Sequence, residues 1–352
     1  MTNNIFAIWW DPKFDHKDDA DHLLEKLLAI RDDCLNNLGM ADPPNPSAGF
    51  FYNVYIHHGE EDLFPKWFSQ YQGTDFNGLP FLTLPYVPSV PEPHDGIHSI
   101  KVYHEGFHIF QFSHNSPGFA YSNDSQWYAE TSAQWYMATW SPNNLKTYLG
   151  AAAIIGNPQL ALWHTISNGA PEDPIEGPGW MYGVRQYNMH MLLMFLTEVK
   201  GVEKSLITDG FYAHTDLSPQ EYFFTKMGPE TFRGYFADWA AHNTGGLDYI
   251  TREQIERAYL EITYAGDWSL FRPSVWSSVD SGTNGEWVQP KEELAVRGWA
   301  YNVYNISNTL TTSYTFQLEG ESVGSQGAPA YFVGRIVVIN NKVSILGEPS
   351  VE

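Results

Sequence analysis

The residues best placed to do chemistry are His104-Glu105-Gly106-Phe107-His108, two imidazoles four positions apart with a carboxylate beside the first. Each helical residue turns by about 100°, so positions i and i+4 lie only about 40° apart; both rings can then reach one Zn²⁺, with Glu105 flanking a water on that ion. Two nitrogens make half of a tetrahedral site, and two residues are candidates for the third ligand. His114 stands six positions after His108, the spacing in which a glycine breaks the helix and a last histidine swings back. Here the breaking position is Gln111, and a continuing helix turns His114 about 240° away from His108. Glu130 lies beyond the breaker cluster His114-Asn115-Ser116-Pro117-Gly118 on a second helical run, and antiparallel packing of that run on the first brings it towards the histidines. Two histidines, one carboxylate and a water in the fourth position form an open, catalytic type of zinc site.

Through this pentad and the following helix with Glu130, the stretch 97–140 resembles the gluzincins, the zinc metallopeptidases of the thermolysin and aminopeptidase kind. The tract Trp127, Glu130, Ala133 is similar to the Trp-x-x-Glu-x-x-Ala signature of peptidase-like proteins in that clan. The resemblance implies His104, His108 and Glu130 as ligands of Zn²⁺ and a protein or peptide as substrate. It implies Glu105 as the general base that takes the proton of a zinc-activated water and passes it to the leaving amine. It also implies a polar group downstream to steady the oxyanion, for which Tyr182, Tyr187 and His190 are candidates and Tyr187 the preferred one. Two departures stand out. The position four after Glu130, often an acidic partner of the first histidine, is Gln134, and the Gly-x-Met-Glu-Asn motif of the aminopeptidase branch is missing.

Apolar spacing sets out the elements that must hold these residues. Ile5 to Trp10 reads as a buried strand closed by Asp11-Pro12, and Leu23, Leu24, Leu27, Leu28, Ile30, Leu35 and Leu38 follow a helical period that ends at Gly39. The stretch 50–57 alternates as a strand does, and 79–87 reads as an edge strand because it contains Pro80 and Pro85. Long helical runs cover 97–112 and 125–140. After a Gly/Pro-rich loop at 169–179, the run 180–200 is apolar enough for a buried helix, and Ser218-Pro219-Gln220-Glu221 and Thr251-Arg252-Glu253-Gln254 are capping boxes. Beyond Trp268 the chain breaks into short strand-like runs. The expectation is an α+β protein: a zincin-like α/β domain over 1–142, a mainly helical domain over 143–268 closing the cleft, and a β-rich, sandwich-like module over 269–352.

Composition narrows the partners. Of 352 residues 43% are hydrophobic, 16% aromatic and 17% charged, so the chain folds. Its 19 Lys and Arg against 41 Asp and Glu give a net charge of −22, which repels phosphate backbones and anionic lipid and argues against nucleic-acid and membrane-surface roles. The single cysteine, Cys34, excludes an intrachain disulfide and a multi-cysteine metal site, and its helical setting reads as an inert buried thiol. No apolar run reaches the ~18 residues of a membrane span and no signal peptide begins the sequence, so a soluble chain is expected, secreted or periplasmic where a signal has been trimmed. Asp15, Asp18, Asp19 and Asp21 lack the spacing of a calcium loop, and His57 and His58 face opposite ways on a strand. The alternative reading is a non-catalytic protein- or glycan-binding protein on a zincin scaffold, or another zinc amidohydrolase.

Overall fold

The computed structural model describes residues 5–42, 52–57, 71–74, 80–86, 99–112, 116–148, 151, 153–156, 158–164, 185–256, 258, 277–280, 296–307, 331–339 and 343–347. They form two compact units, Met1–Thr147 with Val202–Pro219, and Tyr148–Gly201 with Gln220–Glu352. The architecture is α+β, mostly helical, with a small sheet in the first unit.

That sheet comprises β1 (Phe6–Trp9), β2 (Tyr52–His57), β3 (Tyr71–Thr74) and β4 (Pro80–Pro85), in the order β1-β2-β4-β3. The first three neighbours run parallel and β3 is antiparallel to β4. The strand read as an edge is therefore interior. Pro80 and Pro85 stand at its first and last positions, where a missing N–H does least harm to the ladder, and β3 takes the edge. In register, Phe6, Ile8, Tyr52, Val54, Ile56, Leu82 and Leu84 share one face, and all are buried.

Helix α1 (Lys17–Asn36) buries Ala20, Leu23, Leu27, Ile30 and Cys34, a stripe of helical period in which each large aliphatic side chain contributes about 1.5–3 kcal/mol relative to exposure. Just beyond its end Gly39 takes φ +68°, a left-handed turn that a side chain would strain. Helix α2 (Ser99–Gln111) meets the sheet through Phe110, whose ring lies 5.7 Å from that of Tyr52. It meets α1 at Gly106, where the missing side chain leaves room for Ile30. Helix α3 (Gln126–Trp140) is buried nearly all round.

In the second unit the segment expected as one helix over 180–200 is broken into Arg185–Asn188, His190–Met194 and a π-helical turn, Phe195–Val199. Pro219–Met227 and Pro229–Thr244 follow, the former starting where the first capping box predicts. The second box is formed as written: Thr251 N–H donates to Gln254 Oε1 and Gln254 N–H to Thr251 Oγ1.

The expected sandwich-like module falls largely outside the described residues, as does a break near 268. What is described of 269–352 is two separate strand pairs, Ser277–Asp280 with Tyr304–Ser307 and Ile336–Ile339 with Val343–Gly347. Its neighbouring residues are woven into the helical part. Leu162 N–H donates to Gly298 O and Arg297 N–H to Gln159 O, Trp299 lies among Phe224, Phe232 and Phe236, and Arg335 reaches Asp238 at 2.7 Å. Among the described residues no helix is long and apolar enough to cross a membrane.

Candidate metal centre

Helices α2 and α3 are locked together by three side-chain pairs, one helical turn apart on each helix. Tyr103 stacks on Trp140 (5.1 Å), Phe107 on Tyr136 (4.5 Å), and Gln111 Nε2 donates to Ser132 Oγ (2.7 Å). As the numbers rise along α2 they fall along α3, so the helices are antiparallel, as a hairpin through the breaker cluster requires. Their connection is held from outside. Ser116 Oγ donates to Gly210 O, Gly118 N–H to Thr215 O and Ser125 Oγ to Gly118 O, while Phe119 lies against Gly210 and Phe211. Tyr128 Oη reaches Ile207 O from α3 itself. This is why Val202–Pro219, expected in a separate helical domain, belongs to the first unit.

The hairpin brings together His104, His108 and Glu130, all buried, with one ligand atom from each within 4.8 Å of the others. His104 Nε2 lies 3.1 Å from Glu130 Oε2 and 3.1 Å from His108 Nε2, and His108 Nε2 lies 3.6 Å from Glu130 Oε2. Ligands about 2.0–2.1 Å from a tetrahedral ion are about 3.3 Å from one another, so these spacings match three corners of such a site. The donor set, two imidazoles and a carboxylate, suits a divalent transition metal, and the group can hold a metal ion. Glu105 follows His104 directly and is only partly buried.

Electrostatics say the same. Burial opposes a charged His108, yet Glu130, helped by Glu105 and Gln111, holds its pKa up at about 9. Burial likewise opposes a charged Glu130, and the two imidazoles override it, holding the carboxyl well below the usual range. Three convergent lone-pair atoms away from water favour a positive charge among them, which a proton or a metal ion can supply.

Gln111 completes the arrangement, and sequence reasoning had noted it only as the place where another zinc family has glycine. Its Oε1 lies 2.5 Å from His108 Nδ1. Phe112, 36% exposed, stacks on His108 at 5.5 Å, and the 43% exposed Tyr121 stands edge-on to Phe112, giving the site an aromatic rim. Gln134, at the position expected to steady the first histidine, donates instead to Thr147 O and so ties down the chain after α3.

His114, His58 and Tyr182 lie outside the described residues. Tyr187 and His190 belong to the second unit, where His190 is fully buried and Nδ1–H donates to Tyr187 O, while Tyr187 is exposed. The oxyanion role expected of Tyr182, Tyr187 or His190 rests on the sequence alone. His16, near the acidic cluster, pairs with Asp19 at the start of α1. Compared with known proteins, the chain matches no family model, no curated protein and no solved structure.

Proposed function

We propose that the chain is a zinc-dependent metallopeptidase, hydrolysing peptide bonds in the manner of the gluzincins it resembles in sequence. The observation that carries the reading is the buried group His104, His108 and Glu130, with the partly exposed carboxylate Glu105 next to His104 on the same helix. A zinc ion held by the three would polarise a scissile carbonyl and lower the pKa of a water in the open position from about 15.7 to about 7.

The chain's own residues do the rest. Glu105 stands about 100° around α2 from His104 and, unlike the three ligands, keeps contact with solvent, so it takes the water's proton and hands it to the leaving amine. Glu130 brings one negative charge to the two neutral imidazoles, which leaves a divalent ion with net positive charge for the carbonyl. Phe112 and Tyr121 offer exposed apolar surface beside the ligands, against which a substrate side chain can lie. The test measures zinc content and cleavage of a peptide library. Wild type is expected to hold about one zinc and cleave, Glu130→Ala to lose both, and Glu105→Gln to keep zinc while cleavage falls by about 10²–10⁴-fold. Undiminished cleavage by Glu105→Gln, or a wild type that binds no zinc when zinc is supplied, would overturn the reading.

A further inference from the structure

The structure assigns to Gln111 the role of a positioning residue: its amide fixes the His108 ring with Nε2 turned to the metal site, and ties that ring to the peptide just before Glu130. The argument is one of donors and acceptors. Gln111 is 1% exposed, so all of its polar atoms must find partners inside the protein. One end of the amide faces Ala129 O at 3.1 Å and Ser132 Oγ at 2.7 Å. A backbone carbonyl only accepts, so that end must be the NH₂ group. Ser132 is no rival donor, because its own hydroxyl hydrogen points to Tyr128 O at 2.6 Å, leaving its oxygen to accept from Gln111.

With both amide hydrogens spent on α3, Oε1 is left facing His108 Nδ1 at 2.5 Å, and it can only accept. Nδ1 therefore carries hydrogen, and in the neutral ring Nε2 is the nitrogen that offers a lone pair towards His104 and Glu130. Flipping the amide would set its oxygen against the carbonyl oxygen of Ala129, two acceptors with no hydrogen between them, so the orientation has no competitor. The same side chain senses two ligands. It leaves α2 one turn after His108 and ends on the carbonyl of Ala129, whose peptide group continues into Glu130. A rotation of α3 that shifts Glu130 must therefore also shift the amide that aims His108. A polar link between helices would need only one of these bonds, whereas three bonds to three groups determine the ring's angle.

The inference rests on the metal site of the proposed function but not on peptide hydrolysis, and its test has readouts on both sides of that line. Gln111→Met keeps the volume and removes every one of the bonds; Ser132→Ala removes one anchor of the amide and leaves the bond to His108. The measurements are zinc affinity by chelator competition, the visible spectrum of the cobalt-substituted protein, and the imidazole Nδ1–H proton of His108 by NMR in metal-free protein, with urea unfolding as a check on the fold. Gln111→Met is expected to weaken zinc by about 10–100-fold, alter the cobalt spectrum and abolish a slowly exchanging, downfield Nδ1–H signal; Ser132→Ala should show a smaller change in the same direction. A folded Gln111→Met with the affinity, cobalt spectrum and Nδ1–H signal of wild type would overturn the assignment. So would loss of stability in both variants with zinc affinity untouched, which is how a plain link between helices behaves. If wild type itself binds no zinc, the proposed function fails, and the Nδ1–H signal still decides the role of Gln111: present in wild type and lost in Gln111→Met upholds it, and any other result refutes it.

Discussion

Gly118→Ala tests whether the Val202–Pro219 segment sets the α2–α3 hairpin. A Cβ at this position would lie 2.0 Å from Leu217 O, 2.6 Å from Leu217 C and 2.8 Å from Asp216 C, where ordinary contact begins at 3.4 Å. The two stretches would have to part by about 1.4 Å, and both sides of the clash are backbone, so no rotamer change relieves it. Parting them strains the bonds from Gly118 N–H to Thr215 O (2.8 Å) and from Ser125 Oγ to Gly118 O (2.6 Å). Overpacking costs about 1–3 kcal/mol and each weakened hydrogen bond about 1 kcal/mol, so the expected loss is about 3–5 kcal/mol. Gly106→Ala is the control, being on the metal helix itself. There the new Cβ meets the tip of Ile30 at 2.9 Å and of Leu27 at 3.5 Å, flexible ends that can yield, and alanine recovers about 1 kcal/mol of helix propensity. Its net effect should stay within about 1 kcal/mol of wild type. Urea unfolding of the three proteins, with zinc affinity measured beside it, reads the difference. Equal shifts for the two variants, or a Gly118→Ala protein as stable as wild type, would refute the reasoning.

Zinc at 100 times its dissociation constant should stabilise wild type by about 2.7 kcal/mol against unfolding and Glu130→Ala far less, and equal stabilisation of both would remove Glu130 from the site. In the second unit burial tends to raise the Asp238 carboxyl, but Lys200 at 2.6 Å and Arg335 at 2.7 Å override this and lower it below its ordinary 3.8. A carboxyl whose folded pKa is depressed gives stability that is present above the unfolded value and lost as pH falls through the folded one. Asp238→Asn should therefore lose stability at neutral pH and flatten the decline below about pH 4, read from urea midpoints across pH; parallel pH profiles for the two proteins would count against the pair. Replacing His104, His108 and Glu130 together by leucine should leave the metal-free protein as stable as wild type, or more stable by about 1–4 kcal/mol, while zinc binding disappears. A large loss of stability would mean that the three serve the fold.

Much of the candidate metal centre was legible in the sequence, because it is built from local signals. The i, i+4 histidines need only a helix, and the breaker cluster between two helical runs calls for a hairpin; α2 and α3 begin and end within two residues of the expected positions. The rest depends on contacts between distant residues. Val202–Pro219 joins the first unit through Ser116 to Gly210 and Gly118 to Thr215, bonds between loops that leave no periodic trace. Strand β3 is only Tyr71–Thr74, too short to show alternation, and without it β4 could only be read as an edge. Gln111 was visible as a letter but not as a role. The signal that finds it is a question of satisfaction: a metal-ligating histidine needs a partner for its other nitrogen, and a polar residue one turn further along an apolar helix face is the nearest candidate.

The energetics explain why the three candidate ligands need a functional account. Phe107 on Tyr136 and Tyr103 on Trp140 already join α2 to α3 by apolar contact, at no cost in desolvated charge. Beside them the same helices bury two imidazoles and a carboxylate, and a buried ionic group of this kind is commonly no more stabilising than well-packed apolar residues of the same volume. The hydrogen bonds within the set all converge on one point, His104 and His108 presenting Nε2 to each other at 3.1 Å and to the same Glu130 oxygen. Two nitrogens meeting face to face need a proton between them or a cation beside them. His108 therefore takes up a proton far above its ordinary range when nothing else is bound, and a divalent ion at the same point would satisfy all three atoms at once. With Gln111 already holding Nδ1, the hairpin keeps these atoms converged before any ion arrives.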